Sequence, residues 1–118
     1  MPNIYDFRQL YRRTLIGVGV TGSTVRLKLP QIKPRILRVY THVTVENTTS
    51  AYTKCRLGII TLGNILYIDE LAVLSADELA VSRSDIILGE GDVFFAELIG
   101  TVTGDILIMT VIGWEQLL

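Results

Sequence analysis

The sequence has few of the residues that cross-link, interrupt or catalyse. Its 118 residues include a single cysteine, Cys55, and a single histidine, His42, so no intrachain disulfide can form. Only three prolines are present. The chain therefore does not depend on covalent cross-links, which is typical of proteins made in a reducing compartment.

Long apolar runs are also missing. No stretch reaches the roughly 18 to 20 consecutive apolar residues that a membrane-spanning helix needs, so we expect no membrane partner. The first 13 residues contain Asp6 and three arginines and have no apolar core, unlike a secretory leader. Yet 49% of the residues are hydrophobic and the mean hydropathy is +0.43, which is high for a monomer. An oligomer interface is the expected place for this surplus.

Charge is unevenly divided along the chain. Residues 1–56 contain ten Lys/Arg and two acids, whereas residues 57–118 contain one arginine and ten acids. If strands from the two halves alternate in one fold, these charges pair within the monomer. Alternatively, the basic half of one subunit meets the acidic half of the next, and complementary potentials set the register of assembly. A nucleic-acid partner is disfavoured, because no dense Lys/Arg run or binding motif is present.

From Thr14 onward, apolar residues recur with the period of two that is typical of β-strands. The segment STVRLKLP (23–30) alternates strictly, and RVYTHVTVEN (38–47) indicates a long strand. KCRLGIITLGNILYIDEL (54–71) indicates two strands around a tight turn at Gly63-Asn64. About seven or eight short strands separated by turn signals predict one all-β domain, an antiparallel β-sandwich of jelly-roll type, over residues 14–118.

Residues 1–13 differ from this pattern and are expected to form a short arm, helical or extended. Asn3 is a suitable helix cap, and apolar residues recur at spacings of three and four, which favours a helix. A helix this short is marginal alone and would form on docking. We therefore predict that the arm contacts a partner through five residues: Ile4, Tyr5, Phe7, Leu10 and Tyr11.

Two local features carry definite structural predictions. Residues 74–85, LSADELAVSRSD, allow either one or two helical turns behind a Ser75–Glu78 capping box or a loop with a short strand at 79–82. In the corners GEGD and TGD, the glycine is expected at positive φ and the aspartate is expected to accept backbone N–H bonds.

No motif in the sequence assembles catalytic or cofactor chemistry. Residues 17–22 match G-x-G-x-x-G, but an alternating strand follows where a dinucleotide site needs a helix. A nucleophile pair of Cys55 and His42 would require residues of separate strands to meet. Zinc would lack nitrogen and sulfur ligands, and the loop carboxylates lack the spacing of a calcium loop. We predict a non-enzymatic protein with no cofactor and no metal.

The segment 88–115, LGEGDVFFAELIGTVTGDILIMTVIGWE, predicts a C-terminal hairpin with strands at 93–99 and 105–114. Both faces of both strands are largely apolar. Because the open face of an antiparallel sheet is normally polar, we expect the arm or another subunit to cover this one. Phe95 and Ile99, on one face of the first strand, are the predicted interface residues of this hairpin.

The turns and strands of residues 35–115 resemble a known group of proteins. RVYTHVTVEN, RLGIITLGNILYIDEL and the ending GEGD…TGD…VIGWE are similar in layout to small β-sandwich structural proteins of tailed bacteriophage particles. That group includes capsid decoration (cement) proteins and head–tail accessory proteins. The resemblance implies a non-enzymatic protein, made in the host cytoplasm and located in the virion, that forms a homo-oligomer (trimer or ring) and binds other virion proteins.

These observations favour a structural protein that self-assembles and docks on a capsid, portal or tail surface. The alternative is a ligand-binding β-sandwich of the carbohydrate-binding type, which displays exposed aromatic residues as a sugar platform. The candidates for such a platform are Tyr40, Tyr52, Tyr67 and Trp114.

Overall fold

The structure, a computed structural model, describes residues 8–118 except for the side chain of Val73. The described residues form nine strands and no helix, which confirms the all-β class. The strands are β1 (Arg8–Val18), β2 (Val25–Lys28), β3 (Ile36–Asn47), β4 (Tyr52–Thr61), β5 (Asn64–Leu74), β6 (Ala80–Ser82), β7 (Ile86–Leu88), β8 (Val93–Ile99) and β9 (Ile106–Leu117).

The strands form two antiparallel sheets that pack face to face as a sandwich, as the sequence predicts. The five-stranded sheet has the order β1-β9-β3-β6, and β7 also pairs with β3. The four-stranded sheet has the order β2-β8-β4-β5. Strands near the start and end of the chain therefore lie side by side in both sheets.

The core lies between the sheets and follows from the alternation along each strand. On the five-stranded side, Val43, Val45 and Met109 are fully or almost fully buried, and on the four-stranded side Phe94 and Leu98 are. Aromatic rings line one part of the core, where Tyr40 contacts Phe94 edge-on with ring centroids 5.0 Å apart. The inward residues of β8 and β9 thus fill this core from opposite sides.

The predicted C-terminal hairpin is wrong, because β8 and β9 lie in different sheets. Residues 100–105 carry the chain across the sandwich, with Gly100 at φ 86° and Gly104 at φ 93°. Asp105 fixes this crossing by accepting hydrogen bonds from the Asn47 amide and the Val102 N–H, both at 2.8 Å. The Asn47 bond is the main reason why the pKa of Asp105 is below its usual value. The outer faces of β8 and β9 consequently point to opposite sides of the molecule.

The helical form of the arm is wrong for residues 8–13, which belong to β1. β1 pairs with β9 along its whole length, from Arg8 opposite Gln116 to Val18 opposite Ile106. A ladder of eleven residues satisfies more backbone groups than two isolated helical turns would, so the edge of β9 overrides the local helical spacing. The arm residues Ile4, Tyr5 and Phe7 lie outside the described residues.

The predictions for the GEGD and TGD corners are confirmed. Gly91 and Gly104 have positive φ, and Asp92 accepts a hydrogen bond from the Gly89 N–H at 2.9 Å. Residues 74–85 form the loop with a short strand rather than a helix, although the Ser75 N–H still donates to Glu78 Oε1 at 3.0 Å, as in a capping box. The β4–β5 turn falls one residue before its predicted place, at 62–63. The G-x-G-x-x-G segment is a bend between β1 and β2, with no helix after it.

Candidate interaction surfaces

The outer face of the five-stranded sheet is apolar along β1 and β9. The register places Leu10 beside Trp114, Ile16 beside Ile108, and Val18 beside Ile106, all on the outer side. We call this surface the apolar patch: Leu10, Ile16, Val18, Ile106, Ile108, Ile112 and Trp114. Leu10 is 68% exposed, Ile16 is 70% exposed and Val18 is 56% exposed. Exposed apolar residues gathered on one sheet face are typical of protein interaction sites.

Polar groups interrupt and surround the apolar patch. Arg12 lies on the same side of β1, opposite Ile112, and the next outward residue, Thr14, has its hydroxyl oxygen 3.2 Å from that of Thr110, so these polar groups separate Leu10 from Ile16. The Arg8 guanidinium lies 4.2 Å from the centre of the Trp114 ring at one end. Along the other side, β3 presents His42 opposite Ile112 and Glu46 opposite Ile108. An apolar centre with a polar rim is the usual anatomy of a protein interface.

The outer face of the four-stranded sheet is different, because its own side chains cover its large apolar residue. Phe95 points outward but is fully buried. The ring of Tyr67 contacts it edge-on at 5.9 Å, and the Arg26 guanidinium lies 5.1 Å from its centre. Gly58 makes room for the ring, since a Cβ there would lie 2.6 Å from Phe95 Cζ.

An ion-pair network closes this face. Glu97 is only 4% exposed, and its Oε2 accepts bonds from Arg26 Nε at 2.8 Å and from the Tyr67 hydroxyl at 3.1 Å. Arg56 joins Glu97 to Glu70, with contacts of 3.8 Å and 3.0 Å. This network covers Phe95 within the monomer, while Ile65, Leu66 and Ile68 of β5 stay 42%, 51% and 43% exposed.

The predicted interface residues are distributed over three environments. Leu10 lies in the apolar patch, and Ile99 is half-buried on the outer side of β8. Phe95 is not presented to a partner, because Tyr67 and Arg26 cover it. Tyr11 points inward and is buried, with the Arg38 guanidinium 3.9 Å from its ring centre.

The sequence-based prediction omitted two of the most exposed apolar residues of β1. Among the described residues, Ile16 is more exposed than every predicted interface residue, and Val18 is more exposed than all of them but Leu10. The signal was present, because Leu10, Ile16 and Val18 share one side of an alternating segment, with Arg12 and Thr14 between them. Treating residues 1–13 as a separate arm divided that strand in two and hid its apolar side.

The uneven charge of the sequence is partly resolved by pairing within the monomer. Each ion pair found among residues 8–118 joins a cation of residues 1–56 to an acid of residues 57–118. The most enclosed is Arg38 with Glu115, at 2.8 Å across neighbouring strands β3 and β9. Local pairing therefore accounts for Arg26, Arg38, Lys54 and Arg56.

The structure keeps His42 and Cys55 apart. His42 is on the outer face of the five-stranded sheet, and Cys55 is fully buried in the core on the four-stranded side. Burial raises the pKa of the Cys55 thiol to about 12, so it is a neutral thiol at physiological pH. The two side chains do not form a nucleophile pair. Within residues 8–118, no three His, Cys, Asp or Glu residues are grouped as metal ligands would be.

The proposed sugar platform is not assembled from its four candidates. Tyr40 and Tyr52 are core residues. Tyr67 and Trp114 lie on opposite sheets, and each carries an arginine over its ring, Arg56 at 3.7 Å and Arg8 at 4.2 Å. None of these four rings is therefore an open surface beside another. The part of the chain that the structure describes also contains no helix of the length and apolarity needed to cross a membrane.

Comparisons with known proteins give information about the fold. No family model matches the sequence, and no curated protein matches it significantly. Among solved structures, a protein of Bacillus endospore appendages, a family of disulfide-linked pili, aligns with a TM-score of 0.54 and 8% identity over 95% of this chain and 89% of that one. PirA aligns with a TM-score of 0.50 and 12% identity over 86% and 93%.

A carbohydrate-binding module, CBM29-2, aligns with a TM-score of 0.46 and 12% identity over 94% of this chain and 81% of that one. Because the identities are low, the similarities to the two structures with TM-scores of 0.54 and 0.50 concern the fold alone, and they do not assign a function.

Proposed function

We propose that this protein is a non-enzymatic structural component of a tailed-bacteriophage particle, of the decoration or head–tail accessory type. In this proposal, it self-associates through the apolar patch and docks on a capsid, portal or tail surface. The apolar patch is the observation that carries the proposal. Its residues Leu10, Ile16 and Val18 are exposed within residues 8–118, whereas Phe95 on the outer face of the other sheet is covered by Tyr67 and Arg26.

The energetic case rests on the exposed residues of β1. Covering an apolar side chain of this size contributes roughly 1.5 to 3 kcal/mol when it goes from exposed to buried. Leu10, Ile16 and Val18 are each more than half exposed. A second copy that brings the same residues would bury twice that area, and an isologous contact of this kind is the commonest way for a soluble protein to oligomerise.

Two further observations support the structural role. The turns and strands of residues 35–115 resemble virion structural proteins, and a sandwich of related fold is a component of Bacillus pili. The structural role also agrees with the positions of His42 and Cys55, which lie in different layers of the molecule and do not form a nucleophile pair. This role requires two kinds of partner: further copies of the same chain, which form a homo-oligomer, and the other virion proteins on which it docks.

The first test is the mass of the purified chain by size exclusion with light scattering. We expect an oligomer, and we expect Leu10→Asp with Ile16→Asp to yield a folded species of lower mass with an unchanged far-UV circular dichroism spectrum. Val102→Asp is the control, because Val102 is 49% exposed in a loop outside the apolar patch. A wild-type chain that remains monomeric at high concentration contradicts the proposal.

The arm has a separate role in this proposal. We propose that Ile4, Tyr5 and Phe7, together with Leu10, anchor the oligomer to a neighbouring virion protein. Removing residues 1–7 should leave the number of subunits in the oligomer unchanged. It should abolish binding to particles that lack this protein, measured by co-sedimentation. If the truncated chain binds as well as the intact one, the arm is not the anchor.

A further inference from the structure

The two lateral sides of the sandwich differ in charge. The sheet orders place β1 and β2 at one side, and β5 with β6 and β7 at the other. Residues 8–28, on the first side, contain five cations and no acid. Residues 64–88, on the second side, contain five acids and one arginine. The division of charge along the sequence therefore becomes a division between opposite sides of the molecule.

Pairing within the monomer removes only part of this difference. Arg26 is paired with Glu97, and Glu70 is paired with Lys54 and Arg56. On the β1–β2 side, Arg8, Arg12, Arg13 and Lys28 have no ion-pair partner among the described residues. The same holds on the opposite side for Asp69, Asp77, Glu78 and Asp85.

The acidic side also contains an apolar cleft where the two sheets separate. It has a volume of about 390 Å³, and we call it the acidic seam; its walls are Ile59, Ile68, Ile86 and Ile87, and Asp69 and Asp85 lie at its rim. Ile87 is 65% exposed and Ile68 is 43% exposed. The acidic seam therefore offers apolar walls and negative charge to the same occupant.

The basic side offers a matching free edge. β1 pairs only with β9, so along eleven residues its other edge presents unpaired backbone donors and acceptors within the described part of the chain. Arg12 and Arg13 flank this edge on opposite faces of β1, Arg12 on the side of the apolar patch and Arg13 beside Tyr11. An exposed edge with positive charge is suited to a strand or cleft with negative charge, because opposite potentials steer and register the contact.

We propose that the β1 edge of one copy docks on the acidic seam of the next copy. Arg12 and Arg13, which point to opposite faces of β1, then face the acids on the two walls of the seam, Asp69 of β5 and Asp85 beside β7, and the apolar walls are covered. The proposal rests on the self-association proposed above and adds a second contact to it. Because the two surfaces differ, the contact is heterologous, so it generates a closed ring or an open filament rather than a pair.

This second contact is distinguishable from the apolar patch by its chemistry. Ion pairs near the surface weaken as salt rises, whereas burial of the apolar patch does not. Raising sodium chloride from about 0.05 to 0.5 M should therefore increase the apparent dissociation constant of the ring or filament several-fold, while the contact through the apolar patch persists.

The test is a charge exchange followed by light scattering. Variant one carries Arg12→Glu and Arg13→Glu, and variant two carries Asp69→Lys and Asp85→Lys. Alone, each variant presents like charges at both surfaces, so we expect its apparent dissociation constant for this contact to rise at least about tenfold. Mixed together, the two variants present opposite charges again, and we expect the larger assembly to return.

Matched controls keep the result interpretable. Asp77→Lys with Glu90→Lys makes the same charge change at two exposed positions outside the acidic seam and should assemble like the wild type. Asp69→Asn with Asp85→Asn should weaken assembly less than reversal does, and circular dichroism shows that each variant is folded. Loss of assembly in variant one alone, or no recovery in the mixture, overturns the proposal.

The two proposals fail separately, with variant two as the test of the seam alone, because Arg12 of variant one also lies on the side of the apolar patch. If the seam variants have the mass of the wild type while Leu10→Asp with Ile16→Asp is smaller, the apolar patch is an interface and the acidic seam is not. If every variant and the wild type are monomeric, both proposals fall. If the seam variants leave a dimer and the patch variant leaves a salt-sensitive ring or filament, both contacts exist.

Discussion

The outer faces of the two sheets differ in whether other side chains cover their large apolar residues. Both carry large apolar residues that point away from the core. On the four-stranded sheet, Tyr67 and Arg26 cover Phe95, and Glu97 links the covering groups into a network. On the five-stranded sheet, Ile16 and its neighbours remain exposed.

The difference shows that apolar content alone does not identify an interface. Val93–Ile99 and Ile106–Leu117 have similar hydrophobic patterns, but only the second lies beside uncovered apolar neighbours. What distinguishes them is the neighbouring side chains, since Arg26 of β2 and Tyr67 of β5 contact Phe95, whereas Ile16 and Val18 of β1 stay exposed beside β9. Whether a sheet face is covered therefore depends on the neighbouring strands, and one strand's sequence does not determine it.

The largest expected effect comes from removing the covered ring. Phe95→Ala should lower the free energy of unfolding by about 3 kcal/mol or more, because a fully buried aromatic leaves a cavity beneath the network. The same truncation at Ile16, which is 70% exposed, should cost less than about 1 kcal/mol in the monomer. Urea denaturation of dilute protein measures both. Equal losses at the two positions would remove the distinction between the faces.

A smaller loss is expected from the network that covers Phe95. Glu97→Gln should lower the free energy of unfolding by about 2 kcal/mol, since it leaves Arg26 and Arg56 without their shared carboxylate. The value is moderated because the two arginine side chains are 33% and 31% exposed. Glu70→Gln is the matched control, and as its carboxylate is 49% exposed it should change stability by less than about 1 kcal/mol. A larger loss of stability from Glu70→Gln than from Glu97→Gln would mean that the main stabilising ion pair involves Glu70 and not Glu97.

The turn at the end of the four-stranded sheet should respond in the opposite direction. Leu62 is 96% exposed and has φ 50°, followed by Gly63 at φ 78°, the conformation of a hairpin turn that favours Asn-Gly. Leu62→Asn should raise the free energy of unfolding by about 0.5 to 1 kcal/mol. Leu79→Asn, at a residue 51% exposed without positive φ, should not. Thermal denaturation of the two variants side by side decides between them.

The smallest stability change is expected on the uncovered face. Ile16→Thr with Val18→Thr keeps the β-branched shape on an edge strand, so the free energy of unfolding of the monomer should stay within about 0.5 kcal/mol of wild type. The mass measured by light scattering should nevertheless fall, because the two residues lose their apolar contact with a partner. A stability loss like that of Phe95→Ala would mean that these residues already have a cover.

The strand pattern and the turns followed from the sequence because they depend on neighbouring residues. The alternation in β2 and β3 and the positive φ of Gly91 and Gly104 are local properties. Which sheet a strand joins is not local. Residues 93–114 were compatible with a hairpin, and only the crossing fixed by Asp105 and Asn47, two residues 58 positions apart, sends β9 to the other sheet.

The candidate surfaces were predictable only in part for the same reason. The apolar surplus correctly indicated that some sheet face is uncovered, and the reversed charges of the two halves were visible in the sequence. That Phe95 is covered depends on Tyr67 and Arg26 from strands distant in sequence. Ile16 became a surface residue because β9 drew residues 8–13 into the sheet as part of β1.

The position of β9 between β1 and β3 also sets an order of events during synthesis. β1 has no other strand partner among the described residues, and the residues that pair with it, such as Thr110 with Thr14, follow it by about a hundred positions. β1, the first described strand to be synthesised, therefore cannot pair until β9, the last, has left the ribosome. Until then its isoleucine, valine and leucine are exposed to chaperones and to other nascent chains, so a chain truncated before residue 106 would aggregate rather than fold.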